Sequence, residues 1–538
     1  MNRRGCWGGG LVVLGLLGIH AAFAAEPIKV GDRRQLFIDR RFLADAKNVE
    51  LIVHPPRKTG EWNIKPERPW EMGGVGPYSS LLKLGDVYHM WYHVMDTVQW
   101  DSGEGRGCVC YATSRDGIHW ERPDLGLIEY KGDRHNNIVL GHGAGGVFMG
   151  QDGGMVFHDP NAPPDQRFRL VGRFGGKIQK RVKGAKNEQG DLLNIFSSGD
   201  GVRWTLTHES VVVARPQERG HHLDSQNVMF WDTRLRKYVC YVRKNRMEPG
   251  SQGRCIARAE SDRLGGFPAV QDMPYVFAPD KDDLHHGETP VVDFYMSAAI
   301  QYPWAADAYF MFPTAYYHYV WGETAEFGKD VPTNAGPLDT QFAASRDGVT
   351  WERFDRRPFV PLGMKGEFDW ASARTIWGLV PDVAGREMYM YYRASDWLHG
   401  WDRDDRNKRL LTREKLGADQ NIAVLSRLVS RRDGFVSVRG AYTGGAFTTP
   451  PLVFDGAKLL INLDTSAAGI ARVGILDEAG APIEGFGLDR ADLIHTCNEI
   501  NRVVTWQRKG DVSGLAGKPV RLRFVLQNCD LYAFQFAK

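Results

Sequence analysis

The sequence predicts an all-β protein made of a five-bladed β-propeller followed by a C-terminal β-sandwich. Three observations lead to this fold class. The phrase SRDGIHWER at 114–122 returns as SRDGVTWER at 345–353, with seven of nine positions identical. Hairpin-like sequences stand upstream of each copy, and the character of the chain changes after about residue 434.

Residues 1–24 have the pattern of a signal peptide. A basic MNRR is followed by GLVVLGLLGI, which is too short to span a bilayer, and then by the small-x-small sequence of Ala22 to Ala24. The mature chain is therefore expected to begin at Ala25 and to be exported, to the periplasm or the extracellular space, with no membrane segment after cleavage. Residues 25–60 are expected to close the propeller, with QLFIDRRFL (35–43) pairing with the last blade.

The repeated phrase marks five units. Asp-Gly supplies turn residues, and the tryptophan that follows has the bulk to pack between sheets. Weaker copies are SSGDGVRWT (197–205), AESDRLGGFP (259–268) and LVSRRDGFVSV (428–438), so the marker serines are spaced by 84, 63, 84 and 85 residues. We expect Arg115 and Arg346 of the marker to serve surface or blade packing rather than catalysis.

Each marker is preceded by two apolar runs around a Gly, Pro or Asp turn, as in YSSLLKLGDVYHMWYHV (78–94) and RTIWGLVPDVAGREMYMYYRA (374–394). The repeat unit is therefore an antiparallel sheet of about four strands. Radial packing into a propeller over residues 61–433 covers both faces of every sheet. The alternative is a β-sandwich with similar hairpins.

Residues 434–538 contain short alternating strands divided by turns and predict the β-sandwich. Its exposed aromatic residues are compatible with sugar binding. The alternative is that the sandwich packs against the propeller or keeps it soluble.

Composition excludes some partners. The formal charge is only +3, without a basic stripe, so no nucleic-acid partner is expected. The histidine doublets at 221–222 and 285–286 lack a defined ligand set, and neither a metal nor another cofactor is predicted. Among the six cysteines after the signal peptide, the pairs Cys240 with Cys255 and Cys497 with Cys529 are candidates for disulfides, whereas Cys108 and Cys110 suit small core positions.

The signal peptide, the strands YHMWYH and MYMYYRA, and the trailing sandwich together resemble the five-bladed glycosidases of the invertase, levanase and arabinanase type. It resembles more strongly the exported bacterial glycosidase-like proteins with SRDG…W repeats. The marker also resembles the Asp-box of sialidases, where the turn is structural. PERPWEMGG (66–74) stands where the invertase-type Asn-Asp-Pro-Asn-Gly motif would be, so site residues transfer by position rather than by motif.

Glycoside cleavage needs two carboxyl groups that flank the scissile bond, so carboxylates at the starts of blades are the candidates. The predicted catalytic residues are Glu71, Asp224 and Asp293, with Glu288 as a rival to Asp293. Aromatic faces and hydroxyl partners for a sugar are predicted at Trp70, His222, Gln226, Asn227, Trp304, Asp369, Trp370 and Arg374. The expected function is that of an exported glycoside hydrolase acting on an oligo- or polysaccharide; the alternative is a non-catalytic propeller that binds carbohydrate or protein.

Overall fold

The structure is a computed structural model that describes residues 26–95, 107–141, 154–173, 191–215, 223–246, 253–286, 289–318, 336–399 and 423–538. Within these ranges the chain is all-β, and helical residues form single 3-10 turns such as Pro69–Glu71. The predicted signal peptide lies outside the described residues. No helix in the described part of the chain combines the length and the apolar character needed to cross a membrane.

Five strands precede the first repeat. They are Ile28–Gly31 (β1), Gln35–Leu36 (β2), Asp45–Lys47 (β3), Val49–Val53 (β4) and Arg57–Lys58 (β5).

Three four-stranded antiparallel sheets then follow one another, in the order that the hairpin pattern predicts. The first contains Ser80–Leu84 (β6), Val87–Met95 (β7), Gly107–Ser114 (β8) and Ile138–Leu140 (β9). The second contains Met155–His158 (β10), Phe168–Gly172 (β11), Asp191–Ser198 (β12) and Thr205–Ala214 (β13). The third contains Val228–Asp232 (β14), Lys237–Asn245 (β15), Arg254–Ser261 (β16) and Tyr275–Phe277 (β17). A short hairpin, His285–His286 (β18) with Thr289–Pro290 (β19), leads to the fourth unit.

The fourth unit is divided into two pieces because its strands are interrupted, at Ala298, whose φ is 43°, and at Pro313, which has no backbone N–H to donate. Its strands are Val292–Phe294 (β20), Ile300–Gln301 (β21), Tyr309–Met311 (β22), Thr314–Tyr317 (β23), Leu338–Thr340 (β24) and Ala343–Ser345 (β25). The fifth unit contains Ser372–Thr375 (β26), Val380–Pro381 (β27), Glu387–Ser395 (β28) and Val424–Arg431 (β29). The N-terminal strand β5 pairs with β29 and forms the outer strand of this fifth sheet.

The five units pack on one another in chain order and the fifth also packs on the first, while β24 of the fourth unit pairs with β26 of the fifth. Buried side chains of adjacent units share hydrophobic clusters. Trp91 of the first unit clusters with Phe168 of the second, and Phe157 of the second clusters with Val228 of the third and Phe294 of the fourth. Phe312 of the fourth unit clusters with Met390 of the fifth, and Tyr391 of the fifth clusters with Tyr92 of the first. The first strands also contact each other through hydrogen bonds from Val156 N to Ser80 Oγ (2.9 Å) and from Leu81 N to Trp377 O (2.9 Å). Both faces of each sheet are therefore covered, which explains the nearly continuous apolar strands.

The marker phrase forms the same turn in three sheets. The hydroxyl of Ser114 accepts the backbone N–H groups of Asp116 and Gly117, and Asp116 Oδ1 accepts the two N–H groups that follow. Equivalent bonds form around Ser198 and Ser345. The marker is therefore a repeated, side-chain-stabilised turn.

These turns also join neighbouring sheets. The carbonyl of each marker glycine accepts a hydrogen bond from an aromatic side chain of the preceding sheet: Tyr391 to Gly117, Trp91 to Gly201 (2.6 Å) and Tyr241 to Gly348 (2.8 Å). The marker glycines have positive φ values of 70°, 77° and 74°, respectively. Among the marker arginines, Arg346 holds the N-terminal segment through an ion pair with Asp39 (2.9 Å).

The C-terminal part is a two-sheet sandwich. Its strands are Val436–Gly440 (β30), Gly445–Thr448 (β31), Leu452–Phe454 (β32), Lys458–Asp464 (β33), Ile470–Asp477 (β34), Ile494–His495 (β35), Asn498–Val503 (β36), Val520–Gln527 (β37) and Cys529–Ala537 (β38). One sheet is ordered β1-β32-β37-β31-β3, with β34 paired to β37 and β35 paired to β34, and the other is ordered β36-β33-β38-β30-β4 with β2 on β38. The two sheets bury one common core, in which Phe37 contacts Phe447 and Phe524 of one sheet and Phe534 of the other.

The N-terminal segment belongs mainly to this sandwich. The predicted pairing of residues 35–43 with the last blade is wrong, because Gln35–Leu36 pairs with Phe534 and Ala533 of β38. Phe37 and Phe42 are fully buried in the sandwich core. QLFIDRRFL predicts a strand but not which of two sheets that strand joins, and only Gln35 and Leu36 of it lie in a strand.

Among the described cysteines, Cys108, Cys110, Cys240, Cys497 and Cys529 are free thiols. Cys240 lies opposite Ala259 and Cys255 opposite Lys244, so the hairpin register keeps the first candidate pair apart. Cys108 and Cys110 are buried on one strand with their Sγ atoms 3.8 Å apart, as expected for small core residues.

Candidate functional site

The predicted acids of the third and fourth repeats lie at the ends of the sheets opposite to the marker turns. Asp224 precedes β14 and Asp293 lies in β20, the first strands of the third and fourth units, whereas each marker follows the third strand of its unit. In an antiparallel sheet the start of the first strand and the end of the third are at opposite edges. Side chains from the two units can therefore meet at this end.

Asp293 is fully buried and paired with two basic side chains. Its Oδ2 atom accepts hydrogen bonds from Arg254 Nη1 (2.7 Å) and from His318 Nε2 (3.1 Å), while Oδ1 has no partner among the described residues. Burial alone would lower the pKa of Arg254, but the charge of Asp293 raises it, so the guanidinium stays charged. A buried carboxylate with one unused oxygen is costly unless another group meets it.

Tyr295 lies between the two acids. The guanidinium carbons of Arg243 and Arg254 stand 5.7 Å and 5.4 Å from its ring centroid, and its hydroxyl is 3.1 Å from that of Tyr78. Burial, and after it the charge of Asp224, raise the pKa of Tyr295, so its hydroxyl remains a neutral donor.

Asp224 is the more accessible acid. Its side chain is 30% exposed and pairs with Arg243 at 3.3 Å. The turn that presents it has a strained residue, since Ser225 has a φ of 83°. We call Asp224, Arg243, Arg254, Asp293, Tyr295 and His318 together the Tyr295 cluster. The structure thus brings two of the three predicted catalytic residues into one charged, aromatic-lined group.

Two predicted sugar-binding residues, Asn227 and Gln226, hold the backbone next to the Tyr295 cluster. Asn227 donates to Leu223 O (2.8 Å), and its Oδ1 accepts the backbone N–H of Arg243 (3.0 Å), so it holds the turn that carries Asp224. Gln226 donates to Ser79 O (2.9 Å) and joins the first strands of different sheets, while its buried Oε1 has no partner among the described residues. Both side chains are buried, so their bonds serve the frame of the site.

Other aromatic and histidine side chains extend the cluster. The Tyr316 ring lies 5.1 Å from the guanidinium of Arg254, and its centroid is 4.1 Å from that of His318 and 5.0 Å from that of His399. His93 lies behind Tyr78, at 5.7 Å between ring centroids, and burial lowers its pKa to about 4. Neither ring nitrogen of His93 has a hydrogen-bond partner among the described residues.

Glu71 and Trp70 lie apart from the Tyr295 cluster. Glu71 is fully buried, and its oxygens accept bonds from Tyr92 (2.6 Å) and from the backbone N–H groups of residues 67 and 68, beside an ion pair with Arg122 (3.0 Å). Trp70 is buried and donates to Asn137 Oδ1 (3.1 Å). The structure therefore does not bring Glu71 to the other two acids, because its carboxylate is used to hold a 3-10 turn onto the first sheet.

The remaining predicted residues fall in several places. Asp369 is buried and bonds Lys58 (2.7 Å) and Tyr392 (2.9 Å), which places it at the join between β5 and the fifth sheet. Trp370 is half-buried next to it, and Arg374 is buried in β26 with Nε donating to Ser372 Oγ (3.2 Å).

Trp304 lies at the marker end of the fourth unit, away from the acids. His222 and the rival acid Glu288 lie outside the described residues. No group of three or more metal-binding side chains occurs in the described part of the chain.

Arg243, Arg254, Tyr295 and His318 were not among the predicted site residues. The signal that points to them is a charged residue inside a strand that is covered on both faces, as in KYVCYVRKN and RCIARAES. A charge in such a strand needs a partner or a ligand. Tyrosine and histidine carry no equivalent signal, because both also occur as ordinary core residues.

Comparison with known proteins gives structural neighbours only. No protein-family model matches the sequence, and no curated protein gives a significant match. A glycosyl hydrolase from Bacteroides ovatus is 13% identical, with 74% of this chain and 94% of that one covered and a TM-score of 0.38. The β-1,2-mannobiose phosphorylase from Listeria innocua is 11% identical, with coverages of 72% and 97% and a TM-score of 0.40. A further glycoside hydrolase is 12% identical, with coverages of 70% and 92% and a TM-score of 0.42.

Proposed function

We propose that the chain is an exported glycoside hydrolase whose five sheets form a five-bladed β-propeller, with the Tyr295 cluster as its active site. The cyclic packing of the sheets supports the propeller: the first sheet contacts both the second and the fifth, through Trp91 on one face and Tyr92 on the other. In such an arrangement the starts of the first strands surround a central axis, where Asp224 and Asp293 belong to adjacent sheets.

The observation that carries the enzymatic proposal is the pair of carboxylates joined through Arg243, Tyr295 and Arg254. Cleavage of a glycosidic bond passes through a cationic, oxocarbenium-like sugar, and it needs one carboxyl group to transfer a proton and another to stabilise the positive charge. The cluster holds Asp293 fully buried and Asp224 partly buried, and electrostatic effects are stronger in such surroundings than in bulk water.

The two acids have different roles in this proposal. Asp224 is partly exposed and pairs with Arg243 at 3.3 Å, and in this proposal it contacts the sugar and exchanges the proton. Asp293 is fully buried, and its charge is fixed by Arg254 and His318. It orients these two groups and contributes negative charge beneath the reacting carbon.

A non-catalytic carbohydrate-binding propeller is the second candidate. This candidate is favoured by the position of Glu71, which lies outside the Tyr295 cluster. Asp224 is then the one partly exposed carboxylate among the three predicted catalytic acids. Asp396 follows β28 at the same end of the fifth sheet and is half-buried, so it is the further acid to test as the partner of Asp224.

The test is a hydrolysis screen on aryl glycosides and on plant and algal polysaccharides, followed by Asp224→Asn, Asp293→Asn and Asp396→Asn on any substrate that is cleaved. Asp224→Asn keeps the shape but removes the proton-accepting charge, so turnover should fall on the order of a hundredfold with the melting temperature unchanged.

The matched control is Asp262→Asn, an exposed aspartate at the marker end of the third sheet, which should keep full turnover. Full activity of Asp224→Asn would exclude Asp224 as the catalytic acid. Binding of a sugar without hydrolysis anywhere in the screen would favour the second candidate. Recovery of the protein from the periplasm or the medium tests the export.

A further inference from the structure

A cavity of about 850 Å³ lies where the marker ends of the fourth and fifth units meet the sandwich. Its wall includes Trp304 from the fourth unit, Arg386 from the fifth, Arg432 after β29, and Asn498 and Gln535 from the sandwich. It is at the other end of the sheets from Asp293, because Trp304 stands in the turn between β21 and β22. The cavity is therefore a separate site.

The cavity presents a fixed aromatic face. Trp304 is half-buried and packs edge-on against Tyr302, with ring centroids 5.1 Å apart at 67°. Its turn is closed by a hydrogen bond from Tyr302 N to Ala308 O (2.9 Å), and Tyr302 is itself bonded to Asp433 (2.6 Å). An indole held in place with one accessible side suits the C–H face of a pyranose, since little side-chain entropy is lost on binding.

The cavity also has an excess of positive charge. Four arginines and two carboxylates line it, and both carboxylates are paired with cations outside the lining: Asp32 with Lys538 (2.9 Å) and Glu499 with Arg502 (3.1 Å). Of the arginines, Arg34 is neutralised by Asp433 (3.3 Å). The remaining guanidiniums therefore make the electrostatic potential in the cavity more positive, which favours the binding of anions.

Two of these arginines have capacity to bind. Arg432 donates to Gly385 O (3.2 Å), while its buried Nε has no partner among the described residues. Arg386 is exposed, and its side chain forms no ion pair within the described part of the chain. Guanidiniums bind carboxylate and sulfate oxygens through two parallel N–H donors, which lysine cannot do.

We infer that this cavity is a binding site for an acidic oligosaccharide, with a sugar ring stacked on Trp304 and its carboxylate or sulfate group held by Arg386 and Arg432. Asn498 and Gln535 supply amide groups for the sugar hydroxyls. Binding at this site does not depend on hydrolysis at the Tyr295 cluster. It would give the interface between the fourth and fifth units and the sandwich a role in retaining a carbohydrate chain.

The experiment is calorimetric titration of the full chain with three probes: an oligogalacturonide, a sulfated galactan oligosaccharide and a neutral cello-oligosaccharide of equal length. One or both acidic probes should bind, more weakly as salt increases, and the neutral probe should bind at least tenfold more weakly. Preference for the first or second probe identifies carboxylate or sulfate as the recognised group.

Trp304→Ala and Arg386→Gln should each weaken binding of the acidic probe about tenfold. The controls are Tyr442→Ala, an exposed aromatic residue in the sandwich, and Arg115→Gln, an exposed marker arginine; both should bind normally. Arg386→Gln changes an exposed side chain, so it remains informative if Trp304→Ala unfolds.

Asp224→Asn should bind normally as well, which separates this site from the Tyr295 cluster. No binding of any probe, equal binding of the neutral probe, or binding unchanged in Trp304→Ala and Arg386→Gln would overturn the inference.

Discussion

At the scale of single residues, carboxylate side chains at similar positions in the sequence have different surroundings in the fold. Asp224 and Asp293 share the Tyr295 cluster, while Glu71 is enclosed by Tyr92, Arg122 and backbone N–H groups. All three precede or open a first strand, so their positions in the sequence are alike. Which of them meets solvent depends on the neighbours that the fold supplies.

The enclosed position of Glu71 leads to a stability prediction. Glu71→Gln keeps the shape but removes the buried charge partner of Arg122, which then keeps only its ion pair with Glu67 (2.9 Å). The free energy of unfolding should therefore fall by about 2 kcal/mol. Turnover of the folded variant should stay near that of the parent protein. Urea unfolding measures the first quantity, and Glu121→Gln, at an exposed position, is the control. A catalytic role would instead give lost turnover with little change in stability.

Asp339 carries a pH prediction. It is buried in the fourth sheet, one carboxylate oxygen has no partner among the described residues, and burial raises its pKa to about 7. Because the pKa in the folded state lies above that of the unfolded chain, the stabilising contribution is present below about pH 4 and is lost as the pH rises through about 7.

Asp339→Asn removes this titration. The variant should be more stable than the parent protein at pH 8, by up to about 4 kcal/mol, and should show no such gain at pH 4. Thermal unfolding at the two pH values measures the difference. A gain of equal size at both pH values would contradict a role for the buried charge.

At the scale of elements, the marker turn has two functions: it ends one hairpin and it docks onto the adjacent sheet. The hydrogen bond from Tyr241 to the carbonyl of Gly348 is an example of the second. Glycine is needed there for two reasons, since its φ is 74° and an added Cβ would lie 2.7 Å from the Tyr241 hydroxyl.

These two reasons can be separated by substitution. Gly348→Ala should lose about 1 kcal/mol from backbone strain and about 2 kcal/mol more from the contact with the neighbouring sheet. Gly60→Ala is the matched control, because its φ is +75° with no atom within 4 Å, so it should lose only the first part. Equal losses at the two positions would show that the turn does not dock tightly.

At the scale of the whole molecule, the N-terminal segment ties the sandwich to the repeats. Strands β1 to β4 pair within the sandwich, and β5 pairs with β29 of the fifth sheet. Within the sandwich core, the ring of Phe37 contacts four others, among them Phe42 (6.1 Å) and Phe447 (5.6 Å). The first and last parts of the described chain are therefore folded as one unit.

Phe37→Ala should consequently destabilise the protein by about 3–4 kcal/mol, because it leaves a cavity between both sheets of the sandwich. Denaturant unfolding followed by far-UV circular dichroism measures this loss. Val383→Ala, at a side chain that is 70% exposed, should change stability little. A small effect of Phe37→Ala would mean that the N-terminal strands are not part of the cooperative sandwich.

The sequence by itself determined the all-β class, the repeated turn and the sandwich, because all three depend on local patterns: alternation, turn residues and the recurrence of one phrase. Ser114 and Gly117 form the turn that their spacing predicts. The same local logic placed acids at the starts of first strands. It reached Asp224 and Asp293, and it included Glu71 for the same reason.

Only the tertiary structure decided which partners these elements meet. The pattern of QLFIDRRFL predicts a buried strand, yet its pairing with β38 is a contact between residues about 500 positions apart, as for Gln35 and Phe534. The partners of Arg254 and Trp304 are likewise set by the tertiary structure. Arg254 pairs with Asp293 of the next unit, and Trp304 lines a cavity together with residues of the sandwich. Long-range contacts depend on how whole sheets pack, and packing is the sum of many weak terms that no single stretch of sequence contains.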